Sequence, residues 1–351
     1  MEQQQQQHSS DDVFYQDRGG GGGDTTNELF YEDHHDDNNE SNSKQKAWWK
    51  THFFIMQPVL FGTWEGVFTS CLINIFGVVM FLRTGWMVGN VGIPLATVIV
   101  TFTLLVALLA ALSAIGVCER IQMKSGGVYV IVSTVLGGKI GGSIGVMYSF
   151  GLSAVSALYC TGFAESVTST FDWDHNDWAV RGIAIATLII LLAINLAGVK
   201  WVIRLQLVLL VILFISTVDF FIGTFLQPNI DEGFLGYSTQ VFNNNTAPNF
   251  IKGENFFSVF GIFFPTATGI MAGVNMSGDL KQPSKSIPVG TLSAIFLTFL
   301  LYMLYVFLLG ATCTRDALQN NFMIGETVSA VGVLWLMGVY MSSTSSGSTG
   351  M

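Results

Sequence analysis

Two short stretches of this chain offer backbone chemistry where reactive side chains are scarce. The first is CLINIFGVVMFLRTG, residues 71–85, where Asn74 and Gly77 interrupt an otherwise apolar helical run. The second is FFPTATGIMAGVNMSGDL, residues 263–280, where Pro265, Gly269 and Gly273 do the same. Proline removes an N–H and blocks helix continuity, and glycine weakens a helix by about 1 kcal/mol relative to alanine. Where a helix unwinds, the carbonyls ending its first half become ligands for a hard cation. The amides beginning its second half point a positive dipole end at an anion. In NIFGVV the carbonyls of Asn74 and Ile75 face a cation, and the amides of Gly77, Val78 and Val79 face an anion. In PTATGIM the Pro265 carbonyl and the Thr268 oxygens complete the cation shell, while the amides of Gly269, Ile270 and Met271 offer a second anion seat.

Each stretch alone also reads as a kink that neighbouring helices re-satisfy. Enzymatic chemistry is not indicated, because the apolar region holds no nucleophile–base pairing and no metal-ligand cluster. Glu65, Glu165 and Asp279 read as loop or gate groups, and Tyr159, in ALYCTGFAES, reads by itself as a packing aromatic. His34 and His35 sit among Asp33, Asp36 and Asp37, a pattern better read as a solvated acidic tail than as a metal site. Cys71, Cys118, Cys160 and Cys313 show no paired spacing, so neither a disulfide framework nor a zinc site is expected.

The elements that must position these stretches are membrane helices. Half of the 351 residues are hydrophobic, 11% are charged and the mean hydropathy is +0.52, which points to a bilayer as the solvent. Much of the net charge of −9 lies in the first 40 residues. Residues 1–50, rich in Gln, Gly, Asp and Asn, lack the apolar mass to pack and read as a disordered acidic tail with no signal-peptide core. From residue 58 onward the chain reads as a transmembrane domain, all-α and polytopic. Eight apolar runs approach the ~20 residues a helix needs to cross hydrocarbon. They cover 64–82, 92–117, 140–165, 179–198, 204–226, 255–277, 287–311 and 323–342.

With a cytosolic N-terminus, eleven of the fifteen Lys and Arg residues fall inside, against Arg83, Arg181, Lys252 and Arg315 outside. That orientation exposes the 227–254 loop, where Asn244 is a glycosylation acceptor. A second match at Asn275 falls at the end of a span and carries no weight. The glycines of GGVYVIVSTVLGGKIGGSIG suit close helix packing, since the Lys-Ser/Thr ending of a phosphate loop is missing. The sixth run comes five after the first, and paired interruptions at that spacing mark the binding site of an inverted-repeat transporter.

GTWEGVFTSCLINIFGVVMFLRTGW, KSGGVYVIVSTVLGG, YCTGFAES, NLAGVKWVIRLQ and FGIFFPTATGIMAGVNMSGDLKQPSKSIPVGTL span roughly residues 58–343. Together they resemble the cation-chloride cotransporters, solute carrier family 12, of the amino acid-polyamine-organocation superfamily. The resemblance implies a LeuT-like inverted-repeat fold and no cofactor. It implies secondary active cotransport of chloride with K+, and in part of the family Na+, by alternating access in the plasma membrane or an endomembrane. Carried over residue by residue, it implies potassium among Asn74, Ile75, Tyr159, Pro265 and Thr268. One chloride would sit on Gly77, Val78 and Val79, and another on Gly269, Ile270 and Met271. Sodium would lie by Phe76, where the sodium-coupled branch has Trp, with Ser345 and Ser346.

Family members continue beyond the equivalent of Met351, so the repeat is expected to be incomplete, with five helices and then three. The acidic partner expected from the tenth span to close over Arg83, an outer gate, is then missing, as is much of the family's homodimer contact. The expected partners are inorganic ions and the lipid bilayer, with no nucleic acid. Two other readings stay open. One is an organic-solute transporter of the same fold, for an amino acid, polyamine or nucleotide-like molecule. The other is a truncated, non-transporting protein that associates with and regulates a full-length cotransporter.

Overall fold

A computed structural model of the chain describes residues 60–120, 127–171, 177–196, 199–226 and 228–349. The expected acidic tail over 1–50, His34 and His35 included, lies outside the described residues. A π-helical turn, Thr63–Phe68, leads into α1, Thr69–Ile75. The chain leaves the helix at Phe76 and Gly77 and resumes as α2, Val78–Arg120. Then come α3, Gly127–Leu136, α4, Gly138–Thr170, α5, Asp177–Leu196, and α6, Val199–Gly223. A loop carrying the short α7, Thr239–Asn244, leads to α8, Phe256–Phe263. That helix tightens into a 3₁₀ run, Phe264–Met271, followed by one α turn, α9, Ala272–Asn275. The last elements are α10, Pro283–Thr312, α11, Arg315–Asn320, α12, Ile324–Val328, and α13, Gly332–Thr349.

Six segments among the described residues are long and apolar enough to cross a membrane, where eight were expected. One of these segments, Thr63–Arg120, holds both expected runs 64–82 and 92–117, two helices joined across a kink at Gly92. What separates them is a bend, not a loop: Gly92 takes φ +74, a conformation that a side chain would strain, and Pro94 follows two residues on. The expected eighth run, 323–342, is also corrected. Ser329 is extended and ends α12, so the apolar helix starts only at Gly332. Upstream of α4, Gly137 turns the chain at φ +83, and α3 packs back so that a β-carbon on Gly141 would lie 2.5 Å from that of Ser133.

The outward faces of α4 and α6 carry Phe150 at 78%, Met147 at 75% and Phe214 at 69% exposure. Such a surface suits acyl chains and not water, so the architecture is that of a multi-pass integral membrane protein. The buried side joins α2 to α10, and α13 packs against α6 and α4, with Phe81, Phe220, Tyr305 and Trp335 forming an aromatic cluster.

One end of the bundle is closed by the loop that carries α7. Asn245 is fully buried there, and its amide donates to the carbonyls of Gly310 at 2.9 Å and Cys313 at 2.8 Å. The backbone oxygen of Asn245 accepts from Ile93 N–H, just past the Gly92 bend. Gln319 adds bonds to the carbonyls of Gly89 and Asn249. Replacing Asn245 by Leu strips donors from two buried carbonyls, each worth about 1–3 kcal/mol when left unpaired. The variant is expected to melt several degrees below the parent when thermal unfolding is followed in detergent.

Candidate functional site

The site is where the two interrupted helices meet. In the first, Phe76 adopts φ −83, ψ 40, and its N–H still reaches Leu72 O at 2.8 Å, while Met80 N–H closes a tight turn onto Gly77 O at 3.0 Å. The Asn74 side chain turns back onto Ser70 O at 2.7 Å, so the amide is spent within α1 and the backbone carbonyls are what the break presents. Tyr159 of α4 donates to the Asn74 carbonyl at 3.3 Å, and Tyr302 of α10 donates to the Ile75 carbonyl at 3.0 Å. Two phenols from separate helices thus partner the carbonyls that end α1.

In the second interrupted helix, Asn255 caps α8 with bonds from Phe257 N–H and Ser258 N–H, and the Ser258 hydroxyl answers the Asn255 N–H. Pro265 then opens the 3₁₀ run, and Thr268 donates its hydroxyl to Pro265 O at 2.7 Å. Gly269 presses against the first break. A β-carbon there would stand 2.4 Å from Asn74 Cβ, 2.5 Å from the Asn74 carbonyl carbon and 2.7 Å from Ile75 N. Cys71 donates its thiol to Ile270 O at 3.4 Å. Further along, Phe61 and Asp279–Lys281 form a two-bond bridge, Phe61 N–H to Asp279 O at 2.7 Å and Lys281 N–H to Phe61 O at 3.0 Å. The start of one interrupted helix is thereby tied to the end of the other.

Asn74, Ile75, Tyr159, Pro265 and Thr268 are therefore brought together, with Thr268 beside the Tyr159 hydroxyl. Gly77, Val78 and Val79 lie at the start of α2, as a dipole seat requires. Gly269, Ile270 and Met271 differ from expectation. They end a 3₁₀ run instead of opening an α-helix, and inside such a run amides serve carbonyls three residues back. Phe76 is buried and packs edge-on against Phe81 at 5.8 Å between ring centres. Ser345 and Ser346 lie on α13, and their side chains are outside the described residues. Arg83 was expected to lack its acidic partner. Instead it pairs with Glu165 of α4 at 3.3 Å and lies over the Phe322 ring at 4.6 Å, because α4 runs alongside the start of α2. Asn244 is exposed at the end of α7.

Three members of this arrangement escaped sequence reasoning: Tyr302, the Cys71 thiol and Glu165 as the partner of Arg83. The signal for Tyr302 was a polar-tipped aromatic inside an apolar run, which needs a partner for its hydroxyl once buried.

Two cavities adjoin the site. One of about 510 Å³ is lined by Thr268, Ile270 and Met271 with Ala107 and Ala110 of α2 and Val155 of α4, and its walls are almost wholly apolar. The other, about 1080 Å³, holds the Arg83–Glu165 pair with Asp177, Arg181 and Phe322.

Interrupted helices that meet inside an apolar bundle, with carbonyls and helix starts converging, define a transporter architecture. The chain belongs to the amino acid permease family, whose profile, described as "Amino acid permease", matches residues 66–351. It is similar to solute carrier family 12 member 8 of Xenopus laevis, 59% identical over 298 residues, covering 85% of this chain and 41% of that protein. Solute carrier family 12 member 8 of Homo sapiens is 57% identical, with 85% and 42% covered. Solute carrier family 12 member 2 of Mus musculus is 41% identical over 281 residues, with 77% and 23% covered. These matches bear out the resemblance read from the motifs. The chain spans about two fifths of the length of the member 8 relatives.

The contact at Gly269 supplies a test. In Gly269→Ala the new methyl meets backbone that cannot swing aside, and a loss of about 1–3 kcal/mol or more is expected. Gly261→Ala, at a helical position with nothing within 4 Å, is expected to be neutral or stabilising. Thermal unfolding of the two variants in one detergent compares them.

Proposed function

We propose that the chain forms the ion-binding part of a secondary transporter that moves chloride together with a monovalent cation by alternating access. The observation that carries this reading is the backbone-to-backbone meeting of the two interrupted helices at Gly269, Asn74 and Ile75. Potassium is held by the oxygens of Asn74, Tyr159, Pro265 and Thr268, with Ile75 supporting the shell through its bond to Tyr302. One chloride sits on the amides of Gly77, Val78 and Val79. A second is accepted by Gly269, Ile270 and Met271 when the 3₁₀ run relaxes, since only then do its amides come free. Sodium, where it is used, lies beside Phe76 with Ser345 and Ser346. Arg83 and Glu165 act as a gate: both are partly exposed, so the pair is worth at most about 1 kcal/mol and opens readily. The N-terminus faces the cytosol, and Asn244 carries a glycan on the opposite side.

A second reading, transport of an organic solute, is favoured by the cavity of about 510 Å³ beside Thr268, which is larger and more apolar than a bare ion needs. Uptake of radioactive rubidium into cells expressing the full reading frame separates the two. Chloride-dependent rubidium flux is expected, and its absence alongside chloride-independent uptake of an organic solute would favour the second reading. Thr268→Ala is expected to raise the rubidium concentration needed for half-maximal uptake several-fold while leaving surface expression unchanged. Asn244→Gln is expected to remove an endoglycosidase-sensitive mobility shift on gels, which also reports the side of the membrane that the loop occupies.

A further inference from the structure

Among the described residues Asp219 is the one acidic side chain that is buried, at 6% exposure, and it lies inside a membrane helix, one turn before the end of α6. It takes part in no ion pair; Arg83–Glu165 is the salt bridge the described residues form. Its two oxygens share a single donor, Val331 N–H, at 3.1 and 3.2 Å, and its backbone oxygen accepts from Ala330 N–H. An ionised carboxylate offers about four acceptor sites, so one shared N–H leaves it poorly compensated where water is excluded.

The surroundings contain what an acid form would use. The hydroxyl of Ser216 and the indole N–H of Trp335 are buried without a hydrogen-bond partner, and the Tyr305 hydroxyl is buried beside Thr217. Ser216 lies one turn before Asp219 on α6 and fills the space left by Gly338 of α13, where a β-carbon would be 2.1 Å from its oxygen. Phe220, the residue after Asp219, stacks on the ring of Tyr305 at 4.5 Å, which brings α10 to this part of α6. Both hydroxyls can accept a proton-bearing bond, which a carboxylate cannot donate and a carboxylic acid can.

The charged and titratable groups on each neighbouring element are few. α10 contributes Tyr305, and α13 faces α6 with Trp335 and Gly338. The turn before α13 contributes backbone amides. α12 carries Glu326, whose carboxylate lies against Gly332 and interacts with Glu232. From α2 comes Phe81, against Tyr305 and Trp335.

We propose that Asp219 is a reversible proton-binding site within the membrane, at the junction of α6, α10 and α13. In its acid form the carboxyl O–H donates to the oxygen of Ser216 or Tyr305, and one carboxyl oxygen keeps the Val331 N–H. In its ionised form the proton has left to water, and the charge rests on the backbone amide that precedes α13. The occupancy of this site sets how firmly α13 is held to α6. Gly223, whose β-carbon would stand 2.0 Å from Val328 O, shows how closely the end of α6 meets α12 and the turn that leads into α13.

The test is infrared difference spectroscopy of the full chain in lipid nanodiscs, titrated over pH, comparing the parent with Asp219→Asn and Asp219→Glu. As pH falls, the parent spectrum minus that of Asp219→Asn is expected to gain a carboxylic-acid carbonyl band, while the bands of the other acidic residues cancel. Asp219→Glu is expected to restore a titrating band at a displaced midpoint, which shows that the site and not the overall fold was altered. A difference between parent and Asp219→Asn that shows no such band at any pH, while both stay folded, would overturn the proposal. So would a carboxylate that stays ionised at every pH and shifts only when sodium replaces a bulky organic cation, since that would assign a metal cation in place of the proton. Because the readout needs no flux, failure of the cotransport reading leaves this result interpretable.

Discussion

Hydrocarbon neither donates nor accepts hydrogen bonds, and each backbone group left unpaired in it costs several kcal/mol. A helix that stops at Phe76 inside an apolar bundle therefore places a demand on whatever surrounds it. Here the demand is met by phenols, Tyr159 at Asn74 O and Tyr302 at Ile75 O, and by the close approach of a second interrupted helix. The partners are polar enough to stabilise the break. A phenol oxygen 3.3 Å from a carbonyl holds the backbone in place, yet it can turn its own lone pair toward a cation.

The rest of the bundle serves that meeting point. α10 passes behind it and supplies Tyr302, while its far end is pinned by Asn245. α4 contributes Tyr159 at the break and Glu165 nearer its end, so one helix connects the break to the Arg83 pair. The backbone bridge between Phe61 and Asp279–Lys281 joins the starting end of one interrupted helix to the finishing end of the other. Motion of either must be shared by both or must first break two hydrogen bonds.

Much of this was legible because proline and glycine announce themselves. Pro265, Gly77 and Gly269 located both interruptions, and the apolar runs revealed an all-helical membrane protein before any coordinates. Long-range pairing was harder to read. Tyr302 and Ile75 are 227 residues apart, and nothing local to LYMLYVF says which carbonyl its hydroxyl meets. The 3₁₀ character of 264–271 was hidden for a related reason, since glycine and proline forbid a regular α-helix without saying what replaces it. Arg83 was misjudged because its partner was sought in a tenth span, while Glu165 stood 82 residues away on α4. The eighth span was read too long because residues 323–331, mostly uncharged, adjoin the apolar run of α13 but are held instead as a short helix and an extended turn.

Asn245 has a consequence for the order of events during synthesis. Its two acceptors, Gly310 and Cys313, emerge 65 and 68 residues later on the growing chain. At about 5–20 residues per second, the ribosome takes roughly three to fourteen seconds to provide them. Until then the loop around α7 has only its bonds to Asn90 and Ile93 of α2 to hold it, and it stays more open to whatever enzymes patrol that face of the membrane. Closure of this lid is thus a late step in biogenesis, timed by translation and by delivery of α10 into the bilayer.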